Sequence, residues 1–304
     1  MFELLENSIY TQLGMILMAC LFGSLVLTYI AQKINPGFRQ GFVVVRSWCF
    51  LAPLIYFGFA LRSPYPLVIL TVLSLYGAKN FFQMTGMYHR SNFVLVSYLG
   101  IIASGYCIHR NWFSLNAHLP VIVLFFSCLI PMARNSYKSM VQFIALTLLN
   151  FCFLWAFLHL GLILNWQGGA FLVLYIIFLT EFFDTLYLAI SKRFRKIRIV
   201  HNITPKRSLE GFMVACSVTV ILGYLLRQLL PSQSIYYWGG ISFLCCLFAS
   251  TGDTVLAVVR RDLGIKVTEG FIFGRGDFFS HLDRFVFVAP IVYYWLILLE
   301  VFSL

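Results

Sequence analysis

Charge is what this sequence has least of. Asp, Glu, Lys and Arg make up only 11% of its 304 residues, against about 25% in soluble globular chains. With 61% hydrophobic residues and a mean hydropathy of +0.87, the chain is excluded from the water-soluble domains. No internal repeat, low-complexity tract or hydrophilic domain interrupts it. The eight cysteines lie almost wholly inside apolar runs, without metal-type pairing, and read as small buried hydrophobes. The adjacent pair Cys245-Cys246 suits neither a zinc site nor an easy disulfide. The first apolar run has no basic segment before it, only Glu3 and Glu6, so it is expected to be a retained helix and not a cleaved signal peptide. His89, His109, His118 and His159 are scattered without ligand spacing.

What the chain does have is long apolar runs. Ten stand out, near 10–31, 45–62, 65–79, 92–108, 118–133, 140–163, 170–190, 211–230, 236–259 and 285–303. About 20 apolar residues cross a hydrocarbon core as a helix. Lipid leaves the backbone to satisfy itself, so continuous runs mean helices and not a barrel. The expected fold is an all-α, polytopic transmembrane bundle of nine to ten spans, with residues 1–167 as scaffold and 168–304 carrying the chemistry. With the N-terminus outside, 19 of the 22 basic residues fall in inner loops. The positive-inside rule selects that orientation. The net charge of +11 then reflects cytoplasmic loops facing anionic membrane lipid or an anionic substrate, and nucleic acid is not expected.

The few carboxylates are not spread evenly. Of 11, eight lie between Glu181 and Asp283. Glu181 and Asp184 are three apart in an apolar run and share a helix face. Acids inside a membrane helix are costly and mark functional positions by default; the plainer alternative is a polar contact with a neighbouring helix. A basic loop follows, ending in Thr204-Pro205-Lys206-Arg207-Ser208-Leu209-Glu210-Gly211. There Thr204 is expected to cap a helix and Pro205 to open it. Lys206, Arg207 and Ser208 beside a helix N-terminus suit a phosphate, whereas the run from Lys192 to Arg198 reads as a lipid anchor. Further on, Asp253, Arg260 and Arg261 fall at i, i+7 and i+8, one strip of a helix. Acids to hold a divalent metal, with bases to neutralise phosphates, are the ingredients of phosphoryl or nucleotidyl transfer. The glycines at 264, 270, 274 and 276 allow close backbone approach to a ligand.

Gly252-Asp253, Arg260-Arg261-Asp262-x-Gly264-x-Lys266, Gly274-x-Gly276 and Asp283 together resemble the signature of the phosphatidate cytidylyltransferases, the CDP-diacylglycerol synthases. The element from Thr204 to Gly211 is similar to that family's Ser-Pro-x-Lys-Thr-x-Glu-Gly, and Asp184 falls where the family has an acid closing the preceding span. The resemblance covers about residues 168–300. It implies an inner-membrane enzyme, with its site on the cytoplasmic side, that joins CTP to phosphatidate and releases pyrophosphate. It also implies a Mg²⁺ centre with a nearby K⁺-type ion. On this reading Asp253, Lys266 and Asp283 are catalytic. Lys206, Arg207, Ser208, Glu210, Arg260 and Arg261 bind substrate. Asp184, Asp253, Asp277 and Asp283 are the metal acids. The partners are CTP, phosphatidate and anionic membrane lipid, with a homodimer left open.

The chain departs from the family tail. Aligned without gaps, Val267 stands for an aspartate, Phe273 for proline, Arg275 for histidine, Asp277 for glycine and Ser280-His281 for Asp-Arg. A three-residue insertion instead sets Asp283-Arg284 on the Asp-Arg pair. Asp277 and Glu269 are then the acids that could replace the missing one. Two further readings stay open: a family fold without catalysis that binds lipid or nucleotide, and a carrier using Glu181, Asp184 and Asp253 as a cation path. The carrier has no need of the basic elements and lacks the expected repeat symmetry.

Overall fold

The structure, a computed structural model, describes residues 8–34, 39–135, 139–193, 197, 204, 207–262 and 282–301. Among these residues every regular element is helical: α1 (Ser8–Ile34), α2 (Arg39–Ala60), α3 (Tyr65–Met84), α4 (Ser91–His109), α5 (Phe113–Arg134), α6 (Met140–Phe157), α7 (His159–Leu164), α8 (Gly169–Arg193), α9 (Leu209–Leu225), α10 (Ile235–Asp262) and α11 (Phe285–Val301). Each of the ten expected runs falls on helix, although the run at 211–230 overshoots α9, which ends at Leu225, and the run at 285–303 passes beyond the described residues. The run at 140–163 is divided at Leu158, where α6 hands over to α7. Among the described residues six helical stretches are long and apolar enough to cross a membrane, and α9 and α11, at 17 residues, are shorter apolar helices. The protein is an all-α polytopic membrane protein.

The described residues form two compact units whose boundary falls inside α3, at Leu70 and Thr71. In the first, α1 packs on α2. Tyr10 and Tyr56 each donate a phenolic hydrogen bond to the other's carbonyl oxygen, at 2.6 and 2.9 Å, with their rings stacked. That pairing satisfies two hydroxyls which lipid would leave bare.

In the second unit α4, α5 and α6 pack on one another, and α8, α9, α10 and α11 form the other side, with α6 and α7 against α11. Burying apolar surface gives little drive between helices in lipid, so polar contacts and close backbone approach hold them. Ser104 donates to Asn116 at 2.7 Å, and the Asn150 amide donates to Ser97 at 3.3 Å. The Tyr175 hydroxyl of α8 donates to the Gly223 carbonyl of α9 at 3.1 Å and lies 3.0 Å from the Ser242 hydroxyl of α10. The outward face of α5, with Val121, Phe125, Phe126 and Met132 exposed, suits contact with acyl chains.

The lengths of α8 and α10 position the site. At 28 residues α10 is longer than the roughly 20 a bilayer core requires. Its last turn, carrying Arg260 and Arg261, therefore extends past the apolar stretch while Asp253 sits two turns inside.

Candidate functional site

One stripe of α8 begins the site. Glu181, Asp184, Tyr187 and Ser191 follow at steps of three, three and four, so all four point to one side of the helix. Each of them meets a residue that the basic elements supply. Arg207 donates from Nη2 to Asp184 Oδ1 at 2.6 Å and to Asp253 Oδ2 of α10 at 2.8 Å. Its guanidinium also lies 4.4 Å from the centre of the Tyr187 ring. Ser191 Oγ accepts the Ser208 N–H at 3.3 Å. Arg284, just before α11, pairs with Glu181 through Nη1 and with Asp184 Oδ2 through Nη2 at 3.0 Å.

The fourth carboxylate is Asp283, which is 3% exposed. Arg260 Nη2 lies 3.9 Å from its Oδ2 and Arg284 Nε 3.9 Å from its Oδ1, both beyond hydrogen-bond length. Its backbone fits tightly against α10, because a Cβ on Gly252 would stand 2.5 Å from the Asp283 carbonyl oxygen. The glycine of the Gly252-Asp253 pair thus admits the 283–284 turn, and the aspartate beside it meets Arg207. Four acids and three arginines, from α8, the approach to α9, α10 and the approach to α11, share one end of this unit.

The electrostatics follow from that crowding. Burial by itself would pull the Arg207 guanidinium down, but Asp184 and Asp253 outweigh it and hold it above its ordinary value. Burial pushes the Asp283 carboxyl up to about 8, against the pull of Arg284 and Arg260. Several polar atoms in the cluster are buried with no hydrogen-bond partner among the described residues: Arg207 Nη1, Arg260 Nη2, Arg284 Nε and Asp283 Oδ1. Unpaired buried groups are expensive, and ligand sites are where such groups persist.

The structure places the expected residues unevenly. Asp184, Arg207, Asp253, Arg260 and Asp283 come together as described. Arg261 is exposed in the last turn of α10. Ser208 serves the fold as the N-cap of α9, with φ −124° and ψ 152°, and its hydroxyl accepts the Gly211 N–H at 3.1 Å. That corrects the expectation of Thr204 as cap. Thr204 instead accepts the Arg207 N–H through its carbonyl oxygen at 3.1 Å ahead of the helix, and helix formation waits for the next side chain able to cap. Glu210 stands in the first turn of α9, where its carboxylate suits the helix dipole, and accepts the Ile197 N–H at 3.0 Å. Lys206, Lys266 and Asp277 lie outside the described residues. Tyr187, Ser191 and Arg284 were not among the expected site residues. The first two continue the Glu181–Asp184 stripe, and Arg284 follows from the insertion register that sets Asp283-Arg284 on the family's Asp-Arg pair.

No three His, Cys, Asp or Glu side chains among the described residues are gathered closely enough to hold a metal ion. The donors nevertheless fit a hard divalent cation in kind, since Asp184, Asp253 and Asp283 supply carboxylate oxygen and Asp283 Oδ1 is buried without a hydrogen-bond partner among the described residues.

A membrane-embedded helical bundle that concentrates arginines and aspartates at one end has the chemistry of a site for phosphorylated ligands. Residues 42–299 match the Cytidylyltransferase family, and the chain belongs to that family. Over 138 residues it is 31% identical to the uncharacterized protein YnbB of Escherichia coli (strain K12), covering 43% of this chain and 44% of that one. A phosphatidate cytidylyltransferase of Synechocystis is 29% identical over 102 residues, 32% of this chain and 34% of its own length. One of Bacillus subtilis is 26% identical over 111 residues, 36% and 41% respectively. The matched stretches thus span between a third and a half of these relatives.

Proposed function

We propose that this protein is a CTP:phosphatidate cytidylyltransferase, making CDP-diacylglycerol and pyrophosphate with its site at the cytoplasmic face of an inner membrane. The observation that carries the proposal is the shared cluster of Asp184, Arg207, Asp253, Asp283 and Arg284. It joins the two family-like elements through side-chain contacts across 100 residues of sequence. Family membership and the names of two relatives support the substrate pair.

The reaction needs the phosphatidate oxygen brought to the α-phosphorus of CTP, with pyrophosphate leaving opposite. Charge builds on the equatorial and leaving oxygens, so positioning and electrostatics supply most of the catalysis. Arg207, Arg260 and Arg284 offer buried N–H groups to those oxygens in a setting of low dielectric. Asp184, Asp253 and Asp283 would hold a Mg²⁺ ion, with K⁺ as a second ion, which when bound neutralises triphosphate charge. The N-terminus of α9, fixed by Ser208, adds its partial positive charge beside Arg207. Because α8 and α10 are lipid-embedded and the cluster lies in their C-terminal halves, a lipid phosphate reaches it from the headgroup layer while CTP arrives from water. Orientation by the positive-inside rule puts that end in the cytoplasm.

The test is CDP-diacylglycerol formation by the purified protein from CTP and phosphatidate with Mg²⁺, alongside Asp253→Asn and Val267→Asp. Turnover in the parent that is lost in Asp253→Asn supports the proposal. No turnover in the parent but some in Val267→Asp would mark a chain that keeps the family fold and has lost its chemistry.

A further inference from the structure

Arg207 stands where the family-like element has a phosphate-binding base, yet in the structure it faces the acids. Two carboxylate oxygens, Asp184 Oδ1 and Asp253 Oδ2, converge on one nitrogen, Nη2, at 2.6 and 2.8 Å. Convergence of oxygens on a point is what a small divalent cation requires. The other terminal nitrogen, Nη1, is buried and has no hydrogen-bond partner among the described residues. The same guanidinium therefore occupies a cation position with one end and holds an unmet donor with the other. Arg207 also belongs to no helix. It sits immediately before the cap of α9, with its ring contact on Tyr187 and both carboxylates as side-chain partners.

We infer that Arg207 is an exchangeable counter-ion, resting on the reading of the site as a nucleotidyltransferase centre. Without substrate it neutralises Asp184 and Asp253 and closes them to metal. When a nucleoside triphosphate enters, the guanidinium turns onto its phosphates and releases the two carboxylates to the divalent cation that accompanies it. No bond to a heavy atom is made or broken in the exchange. One cation leaves the acids as another arrives, so the two carboxylates are never left without a counter-charge. The arrangement makes metal and nucleotide binding mutually reinforcing, because neither carboxylate is open to metal until the phosphates draw the arginine away. Arg207 is on this view a positioning residue for the metal acids as well as a phosphate contact.

The inference predicts effects of opposite sign from one substitution. The full chain in detergent is titrated with Mn²⁺ alone, following the free-ion electron paramagnetic resonance signal. Binding of a non-hydrolysable CTP analogue is then measured without metal. Arg207→Gln should tighten Mn²⁺ binding about ten-fold and weaken the analogue by a similar factor, within the usual range of coupling between sites. Arg207→Lys keeps a buried charge and so guards against loss of folding. A compact ammonium cannot reproduce the fork, and this variant should move both affinities the same way by less. Arg227→Gln, beyond the far end of α9 and in contact with Tyr224 instead of the cluster, should leave Mn²⁺ binding unchanged. If neither Arg207 variant tightens Mn²⁺, or if Arg227→Gln tightens it equally, the exchange is wrong. Tightening with no loss of analogue affinity overturns it too, since Arg207 would then only screen the acids. CDP-diacylglycerol synthesis by the parent is assayed on the same preparation. Opposed affinity changes without turnover would keep the exchange and discard the proposed reaction, and turnover without them would do the reverse.

Discussion

Gly252 and the carbonyl of Asp283 meet so closely that a single added methyl group would lie 2.5 Å from the oxygen and 3.3 Å from Arg284 Cα. Both neighbours are backbone, so neither can turn aside. Gly252→Ala must therefore displace the 283–284 turn from α10. Overpacking of this kind costs about 1–3 kcal/mol. The larger effect should fall on function, because the displacement moves Asp283 and Arg284 together. The expected result is a modest fall in thermal midpoint with loss of CDP-diacylglycerol synthesis of about 100-fold, as ångström-scale misplacement in an active site produces. An alanine variant with parental turnover would refute the coupling of this contact to the site.

Asp184 and Asp253 both bind Arg207, but they are not equivalent. Asp184 also pairs with Arg284, and its side chain is 7% exposed against 29% for Asp253. Removing one partner of a buried ion pair costs about 3–5 kcal/mol because the other is left uncompensated. Asp184→Asn takes a buried partner from two arginines at once, leaving Arg207 with Asp253 and Arg284 with Glu181, and should approach the lower end of that range. Asp253→Asn leaves Arg207 with Asp184 and should cost clearly less, while abolishing turnover as completely. Thermal unfolding in detergent, read beside activity, separates the two. Equal destabilisation would contradict the asymmetry of the network.

Much of this arrangement was legible in the sequence, and the parts that were not have a physical reason. Apolar runs report helices in lipid almost directly, so the ten spans fall on helices. Glu181 and Asp184 could be put on one face by spacing alone, and Asp253 and Arg260 likewise. The sequence could not show that the acids would meet arginines from other helices. Pairing across α8, the approach to α9 and the approach to α11 depends on how the helices pack, and charge type alone does not select partners. The cap of α9 was misplaced because Thr204 and Ser208 both have capping side chains, and only tertiary contact with Ser191 distinguishes them. Tyr187 was overlooked for a related reason: an aromatic residue in a membrane helix carries no signal of its own until a cation is placed over it.

The pH behaviour of Asp283 has a definite sign. Its folded carboxyl is raised to about 8 by burial, against about 3.9 in an unfolded chain. Between those values the folded state holds a proton that the unfolded state has released, so stability falls as pH rises. The contribution is complete below pH 4 and gone above pH 8. Asp283→Asn removes the titrating group while keeping its shape. From pH 5 to 8 the parent should therefore lose thermal stability relative to this variant, in matched detergent without divalent ions. A constant difference between the two over that range would show that Asp283 is ionised throughout.

The ring of Tyr187 should matter through its face. Arg207 lies 4.4 Å above it, and a cation over an aromatic ring is worth about 2 kcal/mol when water is excluded. Phenylalanine keeps the face, so Tyr187→Phe should retain parental affinity for CTP. Leucine keeps the apolar bulk but has no quadrupole. Tyr187→Leu should then raise the KM for CTP by on the order of ten-fold or more, the kinetic equivalent of that energy, with a smaller change in kcat. Phe212 contacts the same ring at a centroid distance of 5.9 Å, so Tyr187→Leu also alters the packing of α8 against α9, and Phe212→Leu, which leaves the Tyr187 face under Arg207, measures that part separately. If leucine and phenylalanine behave alike, Arg207 is held by Asp184 and Asp253 alone, and the α8 stripe contributes to the site through its two acids and Ser191.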